Sequence, residues 1–252
     1  MLKLFRAAML TVATLTVSGI ANAADLPVPP LAPPPHPVYV APVFTWTGVY
    51  VGGNLGVVWT KGHVTDSSGV VGFDYGQNAV FTVGGQIGAN YQFNDWLVVG
   101  AEADFDWLAN NNNSTNTAPA TGIPFLRVSA NDRWITTLAA RIGIANNNLL
   151  YYAKGGGGWV GANNFTITNV NGSSISFSNS NSNTGWLAGA GIEWAFAPNW
   201  TAKLEYDFLG LNSQSFTVPA GGVIPGGDVI TITNRNIQML TVGVNYLFNW
   251  HY

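Results

Sequence analysis

The sequence predicts an all-β protein, an eight-stranded antiparallel up-and-down transmembrane β-barrel. Three observations predict it. Segments of alternating apolar and polar residues recur along the chain, a period of two that means strand. The gaps between these segments are by turns long and short, the connection pattern of bacterial outer-membrane barrels. Apart from Asp132 at the very end of one segment, the charged residues within the segments share one phase of the alternation. Composition agrees: charged residues make up 8% of the chain, against roughly 25% in an ordinary globular domain. A soluble surface so poor in charge would associate, whereas a surface solvated by lipid needs none.

Residues 1–23 read as a signal peptide. Lys3 and Arg6 give a basic start, Ala7–Ile20 is mostly apolar, and Ala21-Asn22-Ala23 has the small-residue pattern of a cleavage site. The apolar run is too short for a spanning helix, which needs roughly 20 residues. Residues 24–45 form a proline-rich periplasmic tether, since most of the thirteen prolines fall in Ala24–Pro42 and favour an extended polyproline conformation. Residues 46–252 are the barrel.

Eight strands are expected. The first covers Thr47–Thr60, with Val49, Val51, Leu55, Val57 and Trp59 on its apolar face. The second covers Ala79–Phe93. The third, Trp96–Trp107, is the clearest: Leu97, Val99, Ala101, Ala103, Phe105 and Trp107 alternate with a set that carries Glu102, Asp104 and Asp106. The fourth covers Asp132–Ala145, the fifth Leu149–Gly161, the sixth Gly185–Phe196 and the seventh Trp200–Leu209. The eighth covers Asn236–Tyr252, with Leu240, Val242, Val244, Tyr246, Phe248, Trp250 and Tyr252 in one phase. Three connections are tight and use residues that tolerate turn geometry: Asn94-Asp95, Asn146-Asn147-Asn148 and Ala197-Pro198-Asn199. The other four are long, rich in Asn, Ser, Thr and Gly, and almost uncharged. Phe165–Ile167 with Ser174–Phe177, and Phe216–Val218 with Val229–Ile232, are expected to extend strands as hairpins beyond the membrane. A tether in the periplasm makes the first strand run outward, so the long connections face outside.

The phase of the charges decides which face meets lipid. Glu102, Asp104, Asp106, Arg133, Arg141, Lys154, Glu193, Lys203, Glu205 and Asp207 all oppose the apolar set, and Arg235 keeps the same phase. An Arg or Lys on the lipid face would cost roughly 2–4 kcal/mol near the midplane, so these ten side chains belong inside. An eight-stranded barrel has an interior just wide enough for side chains to fill. Enclosed charges need partners, and a structural network of Glu102 and Asp104 with Arg133, Arg141, Lys154 and Lys203 is the expectation. An ion path or a catalytic carboxylate pair is the alternative. Inward glycines such as Gly84, Gly88, Gly100, Gly156, Gly158, Gly189 and Gly191 make room for the long side chains. Outward aromatics near the strand ends, among them Trp59, Trp107, Trp159, Trp186 and Phe208 at the loop end and Trp194, Phe196 and Trp200 near turns, suit two interfacial girdles.

No catalytic, cofactor-binding or metal-binding residue is expected. The histidines are His36, His63 and His251, none at metal-ligand spacing, and His63 with Asp66 is the nearest approach to a catalytic pair. Gly155–Gly158 lacks the Lys-Ser/Thr that would make it a phosphate loop. Cysteine is absent, which excludes disulfides and thiol chemistry. A net charge of −3 without a basic run argues against nucleic acid.

Three stretches carry a family resemblance: Ala24–Pro27 (ADLP) before the prolines, Trp46–Gly56 (WTGVYVGGNLG), and Gly185–Leu209 (GWLAGAGIEWAFAPNWTAKLEYDFL). They resemble the alphaproteobacterial outer-membrane immunogenic proteins of the RopB type, a porin-like β-barrel family. The resemblance implies a barrel in the cell outer membrane with structural and host-facing roles, and no catalytic residues to carry over. Such barrels usually end on Phe in the segment read by the barrel-assembly machinery. Here Phe248 precedes Asn249-Trp250-His251-Tyr252, and Phe248, Trp250 and Tyr252 keep the outward phase of that signal. The expected function is a non-enzymatic, surface-exposed envelope protein, with a narrow diffusion channel or a loop-mediated ligand binder as alternatives. Its expected partners are outer-membrane lipid, lipopolysaccharide and the assembly machinery; nothing in the sequence sets an oligomeric state.

Overall fold

A computed structural model describes residues 44–67, 72–76, 79–109, 114–117, 126–131, 133–161, 163–169, 174–179, 183–217 and 229–248. The expected signal peptide, tether residues 24–43, and the terminal Trp250 and Tyr252 lie outside these. The described chain is all strand: β1 (Gly48–Asp66), β2 (Gly72–Gly76), β3 (Val80–Gln92), β4 (Leu97–Leu108), β5 (Ser114–Thr117), β6 (Leu126–Asn131), β7 (Trp134–Asn146), β8 (Leu149–Gly161), β9 (Asn163–Asn169), β10 (Ser174–Asn179), β11 (Asn183–Ala197), β12 (Trp200–Leu211), β13 (Gln214–Thr217) and β14 (Val229–Phe248). β1, β3, β4, β7, β8, β11, β12 and β14 pair in that order, each antiparallel to the next, and β14 pairs back to β1. The sheet therefore closes as an eight-stranded barrel without an unpaired edge.

The pleat alone sorts the side chains. Along β7 the burial pattern alternates residue by residue, so Arg141 is 3% exposed while its neighbour Ile142 is 57% exposed. This inverts a soluble protein, and it holds in the other barrel strands, where Val51, Leu55, Val83, Ile87, Leu138, Leu204 and Val242 all stand on the outer wall. From Val49 to Trp59 the outer face runs about 33 Å along the strand, or about 25 Å of height at a tilt of about 40°, the thickness of an outer-membrane apolar band. Aromatic rings frame it at both ends. At the loop end Phe105 packs on Trp107 and Trp134, and Trp186 on Phe208; at the turn end Tyr91 packs on Phe93, and Tyr246 on Trp200 and Phe248. Trp96, in phase with the carboxylates of β4, sits in the turn before that strand and is exposed.

The short turns fall where the turn-forming residues stand. Asn147 takes a left-handed φ of 51°, which an Asn adopts at little cost. Asn148 and Asn199 then tie their turns to the next strand, donating from Nδ2 to the carbonyls of Ala195 (3.2 Å) and Leu247 (2.8 Å). Two of the long connections carry the hairpins expected of them. β9 and β10 pair with Phe165 opposite Phe177, and β13 pairs with β14 through Phe216 and Ile230. β2, β5 and β6 have no counterpart in the sequence reading. β5 and β6 join β9 and β10 in a separate four-stranded sheet, which links the connections before β7 and before β11. These segments lie beyond the lipid, so no apolar phase marks them.

Candidate functional site

Among the described residues the lumen gathers most of the ionisable side chains of the barrel strands, and it is layered along its length. At the turn end Trp46, Val98, Ala145, Leu150, Tyr152 and Ala195 pack together, with Phe44 against them. Trp46 is drawn across this mouth by two hydrogen bonds: its backbone N–H donates to Gln92 Oε1 (2.9 Å), and its indole N–H to the Asn147 carbonyl (3.3 Å). At the loop end Val58, Val80, Leu108, Ile135, Val160, Leu187, Leu209, Ile237 and Met239 form a second apolar layer, with a residue from each of the eight barrel strands. The charges lie between.

Arg141 anchors the lower part of this belt. Its Nη1 donates to Tyr50 OH (2.7 Å) and Glu102 Oε2 (3.2 Å), and its Nη2 to Glu193 Oε2 (2.7 Å). The guanidinium lies 3.9 Å from the centre of the Tyr152 ring, a stacking geometry open to Arg and not to Lys. Glu193 also accepts from Thr201 Oγ1 (2.5 Å) and Asn245 Nδ2 (2.9 Å). A chain of amides continues from there, with Gln86 donating to Asn245 (2.7 Å) and Asn54 to Gln86 (2.8 Å).

Lys154 holds the upper part. Its Nζ lies within ion-pair distance of Glu205 (2.7 Å), Asp207 (3.0 Å), Glu102 (3.3 Å) and Asp104 (3.3 Å). Lys203 shares three of these acids, at 3.1 Å from Glu102, 3.4 Å from Glu205 and 3.6 Å from Asp104. Glu102, Asp104 and Glu205 stand close enough to serve as metal ligands, but the two ammonium groups already occupy the space between them. Six buried acids thus meet three buried bases in the belt. Asp106 makes no ion pair among the described residues, and the Oδ1 atoms of Asp106 and Asp207 are buried without a hydrogen-bond partner. Room for both comes from the neighbouring strands: a Cβ on Gly84 would overlap Asp106 Oδ1, and one on Gly189 would overlap Asp207 Oδ1. Among the described residues the belt holds no serine, cysteine or histidine, and apolar layers bound it on both sides. It is built to hold charge in place.

A closed antiparallel barrel with an apolar wall, two aromatic belts and a charged interior matches one kind of known domain. A model of the outer membrane protein beta-barrel domain matches residues 35–248. The chain belongs to this family. Curated relatives agree with the outer-membrane barrel family and place the protein in the bacterial outer membrane. A 31 kDa outer-membrane immunogenic protein of Brucella melitensis is 29% identical over 241 residues, which cover 90% of this chain and 93% of that protein. A 25 kDa outer-membrane immunogenic protein of Brucella canis is 26% identical over 95% of this chain and 96% of its own. A 22 kDa outer membrane protein of Rhizobium leguminosarum is 25% identical over 82% and 81%.

Against the sequence reading of this barrel, the structure brings Glu102, Asp104, Asp106, Arg141, Lys154, Glu193, Lys203, Glu205 and Asp207 into the lumen. Arg133 is a correction. It keeps the inward phase but stands one residue before β7, past the Ile135 layer, and is exposed. His63 meets Asp74 of β2, at 2.6 Å, a partner the sequence reading did not offer. Phe248 ends β14 on the outer wall. The sequence reading missed the hydroxyl and amide partners Tyr50, Tyr152, Thr137, Gln86 and Asn245, and it missed both apolar layers. Their signal was present, because all of them sit in the inward phase, but only formal charge had been followed there.

Proposed function

We propose that the protein is a non-enzymatic envelope barrel whose lumen is a closed structural core and whose long connections present its outer surface. One observation carries this reading: the charged belt lies between two apolar layers, an aliphatic one at the loop end that draws on every barrel strand and one at the turn end closed by Trp46. A diffusion path would need a continuous polar lining, and side chains fill an eight-stranded barrel. The clamped salt network then acts as a brace. It satisfies charges that would be costly to bury alone and ties strands together across the lumen.

The remaining parts of the reading attach to this core. Residues 1–23 direct export and residues 24–45 form a periplasmic spacer. The exposed Phe248, with Trp250 and Tyr252 in sequence phase, forms the segment read by the barrel-assembly machinery. Lipid and lipopolysaccharide are the constant partners of the outer wall. Planar-bilayer recording tests the closed lumen. Purified protein should give no reproducible open steps of porin size, and such steps would overturn the reading.

A further inference from the structure

Outside the lumen the described residues hold one other cluster of charged side chains, where β1, β2 and β14 continue past the loop-end aromatic belt. Lys61, His63, Asp74, Asn234 and Asn236 line an open pocket of about 600 Å³ there. Strand register explains the gathering. Lys61 lies opposite Asn236 on β14, and His63 lies opposite Asp74 on β2. The pairing slips between Lys61 and His63, and Asn234 nearby takes a left-handed φ of 51°. Bulges of this kind re-aim side chains and recur beside functional sites.

The pocket opens on the outer wall. Lys61 follows Trp59 by two residues in the outward phase, and Asn236 precedes the exposed Leu240 by four. Trp59 packs on Tyr206 at 6.4 Å between ring centres. Polar contacts climb from that pair toward the pocket: Tyr206 OH donates to Gln238 Oε1 (2.8 Å), and Gln238 Nε2 donates to Asn236 Oδ1 (3.4 Å). Lys61 therefore stands about 7 Å along the strand beyond the aromatic belt, at the level of lipid headgroups.

The residue types narrow the ligand. Lys61 is exposed and makes no ion pair among the described residues, which leaves an ammonium for a phosphate. His63 Nδ1 is held at 2.6 Å from the carboxylate of Asp74. A bare phosphate would be repelled by Asp74. A sugar that carries a phosphate uses both, because a carboxylate and the Asn amides bind hydroxyls. We propose that this pocket holds the phosphorylated sugar headgroup of an outer-leaflet glycolipid, with Lys61 on the phosphate and Asp74 and Asn236 on sugar hydroxyls. The proposal rests on the orientation that puts the long connections outside. It does not depend on a closed lumen, so a conductance result leaves it standing.

Binding of a bisphosphorylated lipid A to the detergent-solubilised full-length protein, read by native mass spectrometry, tests it. Lys61→Glu should weaken binding at least about tenfold, the scale of one charge-assisted contact, and Lys61→Arg should retain it. Arg133→Glu, which makes the same charge change elsewhere on the exposed surface, should leave binding unchanged. Heat-modifiable migration on gels shows that each variant is folded. The dephosphorylated lipid should bind wild type and Lys61→Glu alike. Equal loss in Lys61→Glu and Arg133→Glu, or loss in neither, overturns the proposal. Glucosamine phosphate without acyl chains, binding as tightly as the lipid, overturns the glycolipid assignment in favour of a soluble ligand.

Discussion

The belt and its two flanking layers use the same strands and the same inward phase, yet they are built by opposite rules. In the belt, Arg141, Lys154 and Lys203 each reach several acids, and Tyr, Thr, Asn and Gln side chains supply further partners. In the loop-end layer Leu209, Ile237 and Met239 bring no polar atom and fill space alone. On β12 the change comes within two residues, from Asp207 to Leu209. A charged lumen is therefore not a channel by virtue of its charge. What matters is whether the polar lining reaches both mouths.

Three single substitutions, one of them also combined with a second, break this comparison at different depths. Arg141→Met should cost the most, about 3–5 kcal/mol, because it leaves Glu193 buried without its cation and takes from Glu102 one of three. Denaturant unfolding in detergent, followed by tryptophan fluorescence, measures it; a loss below about 1 kcal/mol would show that the belt is not a brace. Leu209→Ala comes next. It opens a cavity in the loop-end layer at a cost of about 2–5 kcal/mol. Combined with Met239→Ser it should also admit small cations, visible as conductance that wild type lacks. Arg133→Ala should change stability by less than about 0.5 kcal/mol, since its side chain lies outside the belt. A loss as large as that of Arg141 would return Arg133 to the network.

The strands differ in how openly the sequence announces them. β8 runs over Leu149–Gly161, the range that alternation predicts. β1 runs six residues past the expected Thr60, and β14 is continuous from Val229, joining the expected extension Val229–Ile232 to the strand expected from Asn236. Both excesses lie beyond the aromatic belt, where no lipid imposes an apolar phase and polar residues continue the pairing unmarked. β5 and β6 were invisible for the same reason. Arg133 was misplaced because phase tells which way a side chain faces and says nothing of height. His63 found Asp74 because β2 turns back along β1, a pairing that sequence proximity to Asp66 did not suggest.

By itself the sequence determines the faces of this barrel: lipid forbids charge on the outer wall, and the pleat carries that rule residue by residue into the chain. Which charges meet is another matter. Lys154 on β8 reaches acids on β4 and β12, neither of which pairs with β8. Arg141 finds Tyr50 from the far side of β3 and β4. Those contacts, and the apolar layers above and below them, depend on the stagger of eight strands around a closed circuit. Local alternation is blind to that stagger, so only the tertiary structure decided which charges meet and which apolar side chains lie above and below them.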